Sequence, residues 1–207
     1  MSNSASLPLN WRAQLSASLH RHRSDPSSRY LQLATVDVSG HPRNRTIVFR
    51  GFLEGTECLQ FATDSRSEKV LQLHHQPRSE LCWSFAKTRE QFRIAGSVQV
   101  IMAAHHMPEG QHHTYQWERA QLWEQLSDNS RLLWYWPDPK AKRAAALDFI
   151  QSLPAAGMDH PPENFVMLLL SPTYIDHLQL KGDDHYPQTR HIYRKQEQGW
   201  IGQAVNP

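Results

Sequence analysis

Apolar and polar positions alternate through the first half of the chain, and this pattern predicts β-strands. Residues 30–38 alternate apolar with polar side chains, and residues 45–52 form a second strand-like run after the turn sequence Ser39-Gly40-His41-Pro42. Two alternating segments joined by a turn rich in Gly and Pro predict a β-hairpin. The same alternation predicts three more strands, at residues 57–63, 79–85 and 91–102.

Helical spacing of apolar residues marks four other stretches. Residues 11–19 predict a short helix that ends before Ser24-Asp25-Pro26, and residues 65–75 predict a second helix that Pro77 closes. Residues 117–123 and 144–150 predict two further helices. The peripheral elements of the protein are therefore expected to be helical.

Strand character returns in the last quarter of the chain, at residues 164–170, 175–180, 191–194 and 199–201. Six or more mainly antiparallel strands interrupted by helices favour a barrel, which closes its own sheet edges. The 207 residues, 39% of them hydrophobic, contain no internal repeat or low-complexity tract. We therefore expect one domain, residues 1–207, that is mainly β with some α.

Composition narrows the classes of partner and the compartment. The formal net charge is only +2, which gives no reason to expect binding to nucleic acid or to a membrane surface. Cys58 and Cys82 have no metal-type spacing and predict buried free thiols. Residues 1–10 lack the apolar core of a secretory signal, and the longest apolar run, 165–170, is too short to cross a bilayer. A soluble cytoplasmic protein is expected.

Basic side chains follow several of the predicted strands and suit a phosphate. Arginine offers a planar fork and lysine a point charge, so Arg45, Arg66 and Lys69 match the charge of a phosphate monoester. Ser67 adds a hydroxyl, and residues 64–67 resemble a helix start, whose free N–H groups favour an anion. The alternative is that each is a surface charge at a strand end.

Gln91 offers a second type of contact. Strand alternation places Gln91 on one face with Arg93 and Ala95, and Phe92 and Ile94 on the other. A carboxamide presents one donor and one acceptor group, which matches the pyrimidine edge of an isoalloxazine ring. Together with the basic residues, Gln91 indicates a phosphorylated flavin; taken alone, a glutamine at such a position is more often a solvent-facing strand residue.

The order of these residues resembles the pyridoxamine 5′-phosphate oxidase-like family of FMN-binding split barrels, in particular its cyanobacterial and plant-type branch. The matching blocks are Arg45-Thr-Ile-Val-Phe-Arg50, Phe61-Ala-Thr63, Arg66-Ser67-Glu-Lys69, Gln91 with Ile94-Ala-Gly96, and Arg190-His-Ile-Tyr193. The resemblance implies a split β-barrel of about six antiparallel strands with peripheral helices, FMN as cofactor, and a homodimer with FMN at the subunit interface. By resemblance the FMN contacts are Arg45, Thr46, Ile47, Val48, Arg50, Ala62, Thr63, Arg66, Ser67, Lys69, Gln91 and, across the dimer interface, Arg190.

Two departures from the family affect the expected activity. Family oxidases have Arg-Lys after the serine, whereas Glu68-Lys69 follows Ser67 here. Their substrate-binding Arg-X-His pair aligns with Tyr186 and Gln188. The resemblance therefore implies an oxidoreductase that moves a hydride from an amine-type small molecule to flavin, with the substrate open and no catalytic residue assigned. Candidate substrate contacts are Arg50, Arg119 and Tyr186.

Two alternatives follow from the same departures and from the 13 histidines. The chain is either an enzyme or a noncatalytic split barrel that binds flavin or haem. The pairs His105-His106 and His112-His113 suit zinc or copper, but no His-Glu-X-X-His pattern or cysteine cluster accompanies them. We therefore expect no metal site.

Overall fold

The computed structural model describes residues 10–107, 110, 115–181 and 188–207. Within these residues the chain forms eight strands and five α-helices, with short 3₁₀ turns between some of them. The strands are β1 Tyr30–Val36, β2 Pro42–Phe52, β3 Leu59–Asp64, β4 Arg78–Phe85, β5 Glu90–Ile101, β6 Phe165–Gln179, β7 Thr189–Gln196 and β8 Gly199–Val205. The helices are α1 Trp11–Arg21, α2 Glu68–His75, α3 Gln116–Glu124, α4 Asp128–Arg131 and α5 Ala156–Asp159.

Six of the strands close into an antiparallel barrel. The sheet runs in the order β3-β2-β1-β4-β5-β6-β7-β8, and an added β3–β6 pairing joins its ends around the first six strands. The expected split barrel of about six antiparallel strands is therefore confirmed, and β7 and β8 extend the sheet beyond it. No helix in the described part of the chain is both long and apolar enough to span a membrane.

Strand β6 belongs to both parts of this architecture. Its residues 165–170 pair with β3 and close the barrel, while residues 174–179 pair with β7. Pairing with β5 runs along the opposite edge of β6, interrupted by a bulge where Ala95 pairs with Tyr174 and Gly96 with Pro172. The sequence predicted two separate strands here. The structure has one continuous strand, because the bulge accommodates the extra residue without ending the pairing with β5.

The alternation in the sequence sets the inner face of the barrel. Ile47 and Phe49 of β2, Leu31 and Leu33 of β1, and Phe92 and Ile94 of β5 are buried in one core. Helix α1 covers part of this core with Trp11 and Leu15. A second cluster, which includes Trp123, Trp134 and Phe165, packs α3 and the following turn against β6.

A polar contact also fixes α1 to the barrel. Glu90 at the start of β5 is 6% exposed and accepts hydrogen bonds from Ser18 and, at 2.7 Å, from Arg21 of α1. The Nε2 atom of His177 lies 3.7 Å from a Glu90 carboxylate oxygen. The His177 ring stacks on Phe92 with 3.9 Å between centroids. These contacts therefore join α1, β5 and β6.

Two local expectations were wrong. Residues 144–150 form only a 3₁₀ turn at Ala146–Asp148, because helical spacing alone gives no apolar face to bury here: Leu147 is 85% exposed. The thiols of Cys58 and Cys82 are free, as expected, but half-buried rather than buried.

Candidate functional site

One end of the barrel has a pocket lined by four basic side chains, called here the cationic pocket. Its volume is about 500 Å³, and it lies between the start of β2, the N-terminus of α2 and the turn at Pro139 and Lys140. Arg45, Ser67 and Lys69 all line it, as predicted from their order in the sequence. The other lining residues are Pro42, Arg43, Asn44, Glu68, Pro139 and Lys140.

Arg45 reaches this pocket because it continues the inward-facing positions of β2. Its Nη1 donates to Thr35 Oγ1 at 2.6 Å and to the carbonyl of Leu33 at 3.2 Å, and its Nη2 donates to Gln72 Oε1 at 2.7 Å. Thr35 and Gln72 are buried and also hydrogen-bond to each other. Two neutral side chains thus hold the guanidinium in one orientation.

Lys69 is oriented in a similar way from α2. Its ammonium donates to Thr63 Oγ1 at 3.0 Å and to Ser67 Oγ at 2.6 Å. Ser67 is the N-cap of α2, and its side chain makes no hydrogen bond to the helix backbone. The predicted helix start is therefore confirmed, with the hydroxyl turned to Lys69 and the positive end of the helix dipole beside it.

Arg45 and Lys69 form no ion pair with a carboxylate among the described residues, although the charge of the neighbouring Glu68 acts on both. Burial lowers the pKa of Arg45 and of Lys69, and the charge of Arg45 lowers that of Lys69 further. By contrast, Arg43 pairs with Asp37 at 2.8 Å and Lys140 pairs with Glu68. A dianion in this pocket would complete the charge balance of Arg45 and Lys69, so the donor set fits a phosphate.

Arg66 lies next to the pocket but is engaged elsewhere. Its guanidinium forms ion pairs with Asp64 at 2.6 Å and Asp138 at 2.8 Å, and it donates to the carbonyl of Trp136. These acids raise the pKa of Arg66. The expectation that Arg66 holds the phosphate is therefore not supported by its contacts, because its charge is already compensated by two carboxylates.

The other predicted cofactor contacts from β2 and β3 do not line this pocket. Ile47 is buried in the core, so only its backbone is free to meet a ligand, whereas Thr46 is exposed and Val48 is half-buried. Arg50 sits at a bulge between Phe49 and Gly51, and its Nε is buried without a hydrogen-bond partner among the described residues. Thr63 is buried beside Lys69, and Ala62 is half-buried.

Gln91 and Arg190 occupy one row on the outer face of the sheet. Gln91 is half-buried on the same face as Arg93, while Phe92 and Ile94 face the core, as the alternation predicted. Leu178 of β6 pairs with Gln91 on one side and with Arg190 of β7 on the other. The two predicted flavin contacts thus lie on the outside of the barrel.

The candidate substrate residues have different outcomes. Arg119 is 4% exposed and donates to the carbonyls of Phe165 and Pro162 at 2.8 to 3.0 Å. Burial lowers its pKa to about 10. It therefore ties α3 to the segment before β6, which corrects the expectation of a substrate contact. Tyr186 lies outside the described residues.

One group of potential metal ligands is present at the surface. The ligand atoms of His105, His106 and Glu163 lie within 4.8 Å of one another, and all three residues are exposed. His112 and His113, the other pair noted in the sequence, lie outside the described residues. None of His105, His106 and Glu163 lines the cationic pocket.

Sequence reasoning missed the two residues that orient Arg45. Thr35 and Gln72 are polar residues at positions where the pattern of β1 and α2 calls for apolar side chains, next to Leu33 and Leu73. A polar residue in a buried phase must find a partner. These two polar residues at buried positions could have indicated that Thr35 and Gln72 contact a polar group.

Comparison with known proteins now decides the family. Residues 8–102 match the model of the pyridoxamine 5′-phosphate oxidase FMN-binding domain. The chain is 35% identical to pyridoxine/pyridoxamine 5′-phosphate oxidase 2 of Arabidopsis thaliana over 204 residues, which cover 95% of this chain and 96% of the relative. The chain belongs to the pyridoxamine 5′-phosphate oxidase family. Its cofactor is FMN, and the cationic pocket fits the phosphate of that cofactor.

Solved structures agree with this family. A pyridoxamine 5′-phosphate oxidase-related, FMN-binding protein of Nostoc punctiforme is 44% identical, with a TM-score of 0.86 and coverage of 98% of this chain and 99% of that one. PhzG of Burkholderia lata, solved in complex with tetrahydrophenazine-1-carboxylic acid, has a TM-score of 0.73 at 17% identity, covering 99% and 95% of the two chains. The second likeness shows the shared fold only.

Proposed function

We propose that this protein is an FMN-dependent oxidoreductase that removes a hydride from a carbon bearing an amine in a small molecule. The single observation that supports the proposal most strongly is the placement of Arg45 and Lys69 in one pocket, without carboxylate partners in the described residues. In a family of FMN proteins, such a pair suits the cofactor phosphate. The full-length similarity to a protein named as an oxidase favours an enzyme over a noncatalytic binder.

In this proposal each group of residues has a distinct task. Arg45, Lys69 and Ser67 hold the phosphate, the backbone of Ile47 and Val48 with Thr63 lines the flavin, and Gln91 hydrogen-bonds to the ring edge. FMN, once bound, would supply the hydride acceptor and a route for the electrons to oxygen. The protein contributes position and charge, and no general base among the described residues is required.

We also propose a homodimer, with each FMN held between two subunits. Gln91 and Arg190 support it, because both lie on the open outer face of the sheet while the phosphate pocket lies at the barrel end. Size-exclusion chromatography with light scattering should give twice the chain mass of 24.0 kDa. A cytoplasmic location remains a prediction from the sequence.

The substrate is proposed only as a class. Gln188 and Tyr186 stand where family oxidases carry the His and Arg that grip the substrate, so pyridoxamine 5′-phosphate is not favoured over other amines. Arg50 remains a candidate contact, since its buried Nε has no partner in the described part of the chain and its pKa is lowered by burial and by Arg29. An anionic group on the amine would suit this arginine.

The test begins with the protein as isolated. Its absorption spectrum should be that of a flavoprotein, and heat should release FMN. Under anaerobic conditions a panel of primary amines, with pyridoxamine 5′-phosphate included, should contain a compound that bleaches the flavin band, and oxygen should restore it. A flavin spectrum that no amine bleaches would support storage instead, and a Soret band would support haem; either result contradicts the proposal.

A further inference from the structure

Four charged side chains cross the outer face of the sheet from β4 to β7. They are, in spatial order, Glu80, Arg93, Asp176 and Arg190. Arg93 lies directly opposite Asp176 in the pairing of β5 with β6, and Arg190 pairs with Leu178, two residues along from Asp176. The four side chains alternate in sign, so each acid lies next to at least one base.

Asp176 is buried, unlike the other three of these four charged residues. It is 3% exposed, although it lies on the outer face of the barrel. Arg190 covers it with a two-pronged contact: Nε donates to Oδ1 at 2.9 Å, and Nη2 donates to Oδ2 at 2.6 Å. Parallel hydrogen bonds of this kind fix the plane of a guanidinium as well as its position.

Arg93 leaves both oxygens of Asp176 to Arg190. Its Nε and Nη2 each contact Glu80 Oε1 at 2.7 Å, whereas its Nη1 is 3.8 Å from Asp176 Oδ2. That separation is beyond hydrogen-bond range but still provides a favourable charge for a buried carboxylate. Glu80 thus holds Arg93 to one side, and Asp176 is free to orient Arg190.

We propose that Asp176 is a positioning residue that sets the orientation in which Arg190 meets FMN. The inference rests on the proposed function, in which Arg190 contacts the cofactor held by the partner subunit. A guanidinium has five N–H donors, and Asp176 uses only two of them. The remaining edge makes no hydrogen bond within the described residues and is therefore presented to a ligand.

The geometry also explains why an arginine is needed here. A lysine ammonium has no plane to fix, so it would bind Asp176 or an external acceptor without a defined angle between them. Arg190 can do both at once. Asp176 itself does not touch the cofactor; it acts through Arg190.

Asp176→Asn tests the proposal. The amide keeps the shape but loses the charge and one acceptor, so FMN should bind the apoprotein about tenfold more weakly, as judged by quenching of flavin fluorescence. Glu57→Gln is the matched control: Glu57 contacts Trp200 and Lys195 on the same β7–β8 hairpin but not Arg190. The control should bind FMN with wild-type affinity even if its melting temperature falls.

Two further variants separate positioning from a structural effect. Arg190→Ala should weaken FMN binding, and Asp176→Asn in that background should weaken it no further, because the two residues act as one unit. If Asp176→Asn fails to fold, Asp176→Glu is tested instead: it keeps the ion pair but displaces the guanidinium, and FMN binding to the folded variant should weaken about threefold.

Each outcome has one meaning. The positioning role would be overturned by additive losses in the double variant or by wild-type affinity in Asp176→Asn. If Asp176→Asn fails to fold, wild-type affinity in Asp176→Glu would overturn it. None of these results would contradict FMN binding itself. Wild-type affinity in Arg190→Ala would instead refute the proposed contact between Arg190 and FMN. Loss of FMN binding in the Glu57→Gln control would show that hairpin docking, rather than Asp176, governs affinity.

Discussion

Arg45 and Lys69 enter the same pocket from two different elements, and each hydrogen-bonds only to uncharged oxygens within the described residues. Both groups are partly desolvated, and an unpaired buried cation is unfavourable. The pocket is therefore expected to bind a phosphate more favourably than a neutral ligand, because only an anion compensates these two charges.

The first prediction separates the phosphate from the flavin ring. Riboflavin, which lacks the phosphate, should bind at least about a hundredfold more weakly than FMN. Arg45→Gln should reduce FMN affinity by about ten- to a hundredfold and leave riboflavin affinity unchanged. Titration by fluorescence quenching measures both, with the exposed Arg78→Gln as control. Equal losses for the two ligands would place Arg45 away from the phosphate.

A second prediction concerns Glu68, which stands where family oxidases have an arginine. Its carboxylate lines the pocket and pairs with Lys140. Glu68→Gln should bind FMN severalfold more tightly, because it removes a negative charge and frees Lys140, and the gain should shrink at high salt. Glu197→Gln, on an exposed turn, is the control. Weaker binding in Glu68→Gln would mean that this carboxylate helps to order the pocket.

A third prediction follows from the buried carboxylate beneath α1. Burial alone would raise the pKa of Glu90, but the nearby His177 ring, the hydrogen bond from Ser18 and the charge of Arg21 lower it from 4.5 to about 2. A lowered carboxyl pKa stabilises the fold fully above about pH 4.5, and this contribution is lost as the pH falls towards 2.

Glu90→Gln should therefore reduce the free energy of unfolding by about 3 kcal/mol at pH 7. It should also flatten the dependence of stability on pH between 4.5 and 2. Urea denaturation at a series of pH values measures both effects, with the exposed Glu124→Gln as control. A parallel pH profile in the variant would show that other carboxyls govern acid unfolding.

A fourth prediction tests the structural role of Arg119. Arg119→Met keeps much of the side-chain volume but leaves the carbonyls of Phe165 and Pro162 without their donor. The loss should reduce the free energy of unfolding by about 3 kcal/mol. Arg78→Met, at an exposed position, should change stability by less than about 0.5 kcal/mol. An unchanged denaturation midpoint in Arg119→Met would contradict the assignment.

The strands were predictable because the barrel has one apolar face and strand alternation records it directly. β1, β2, β4 and β5 each lie within three residues of their predicted ends. The segment at 144–150 failed because helical spacing is necessary but not sufficient: without an apolar surface to cover, a short helix does not form. The continuity of β6 depends on pairing with three other strands, which no local pattern encodes.

The site was predictable to a similar degree. The basic residues and their order pointed to a phosphate, and two of them, Arg45 and Lys69, line one pocket together with the predicted Ser67. The sequence could not show which cations already form ion pairs. Arg66 and Arg45 are both arginines next to predicted strands, yet only Arg66 has two carboxylates within ion-pair distance. Ion pairing is a property of side-chain position in three dimensions.

The bulge in β6 has a mechanical consequence. A side chain at Gly96 would bring its Cβ to 2.2 Å from the carbonyl oxygen of Ser171, so even alanine at this position would push the two strands apart. Ser171 lies between the half of β6 that seals the barrel and the half that carries the hairpin with Arg190. A single hydrogen atom in place of a methyl group thus keeps the β7–β8 hairpin aligned with the closed barrel.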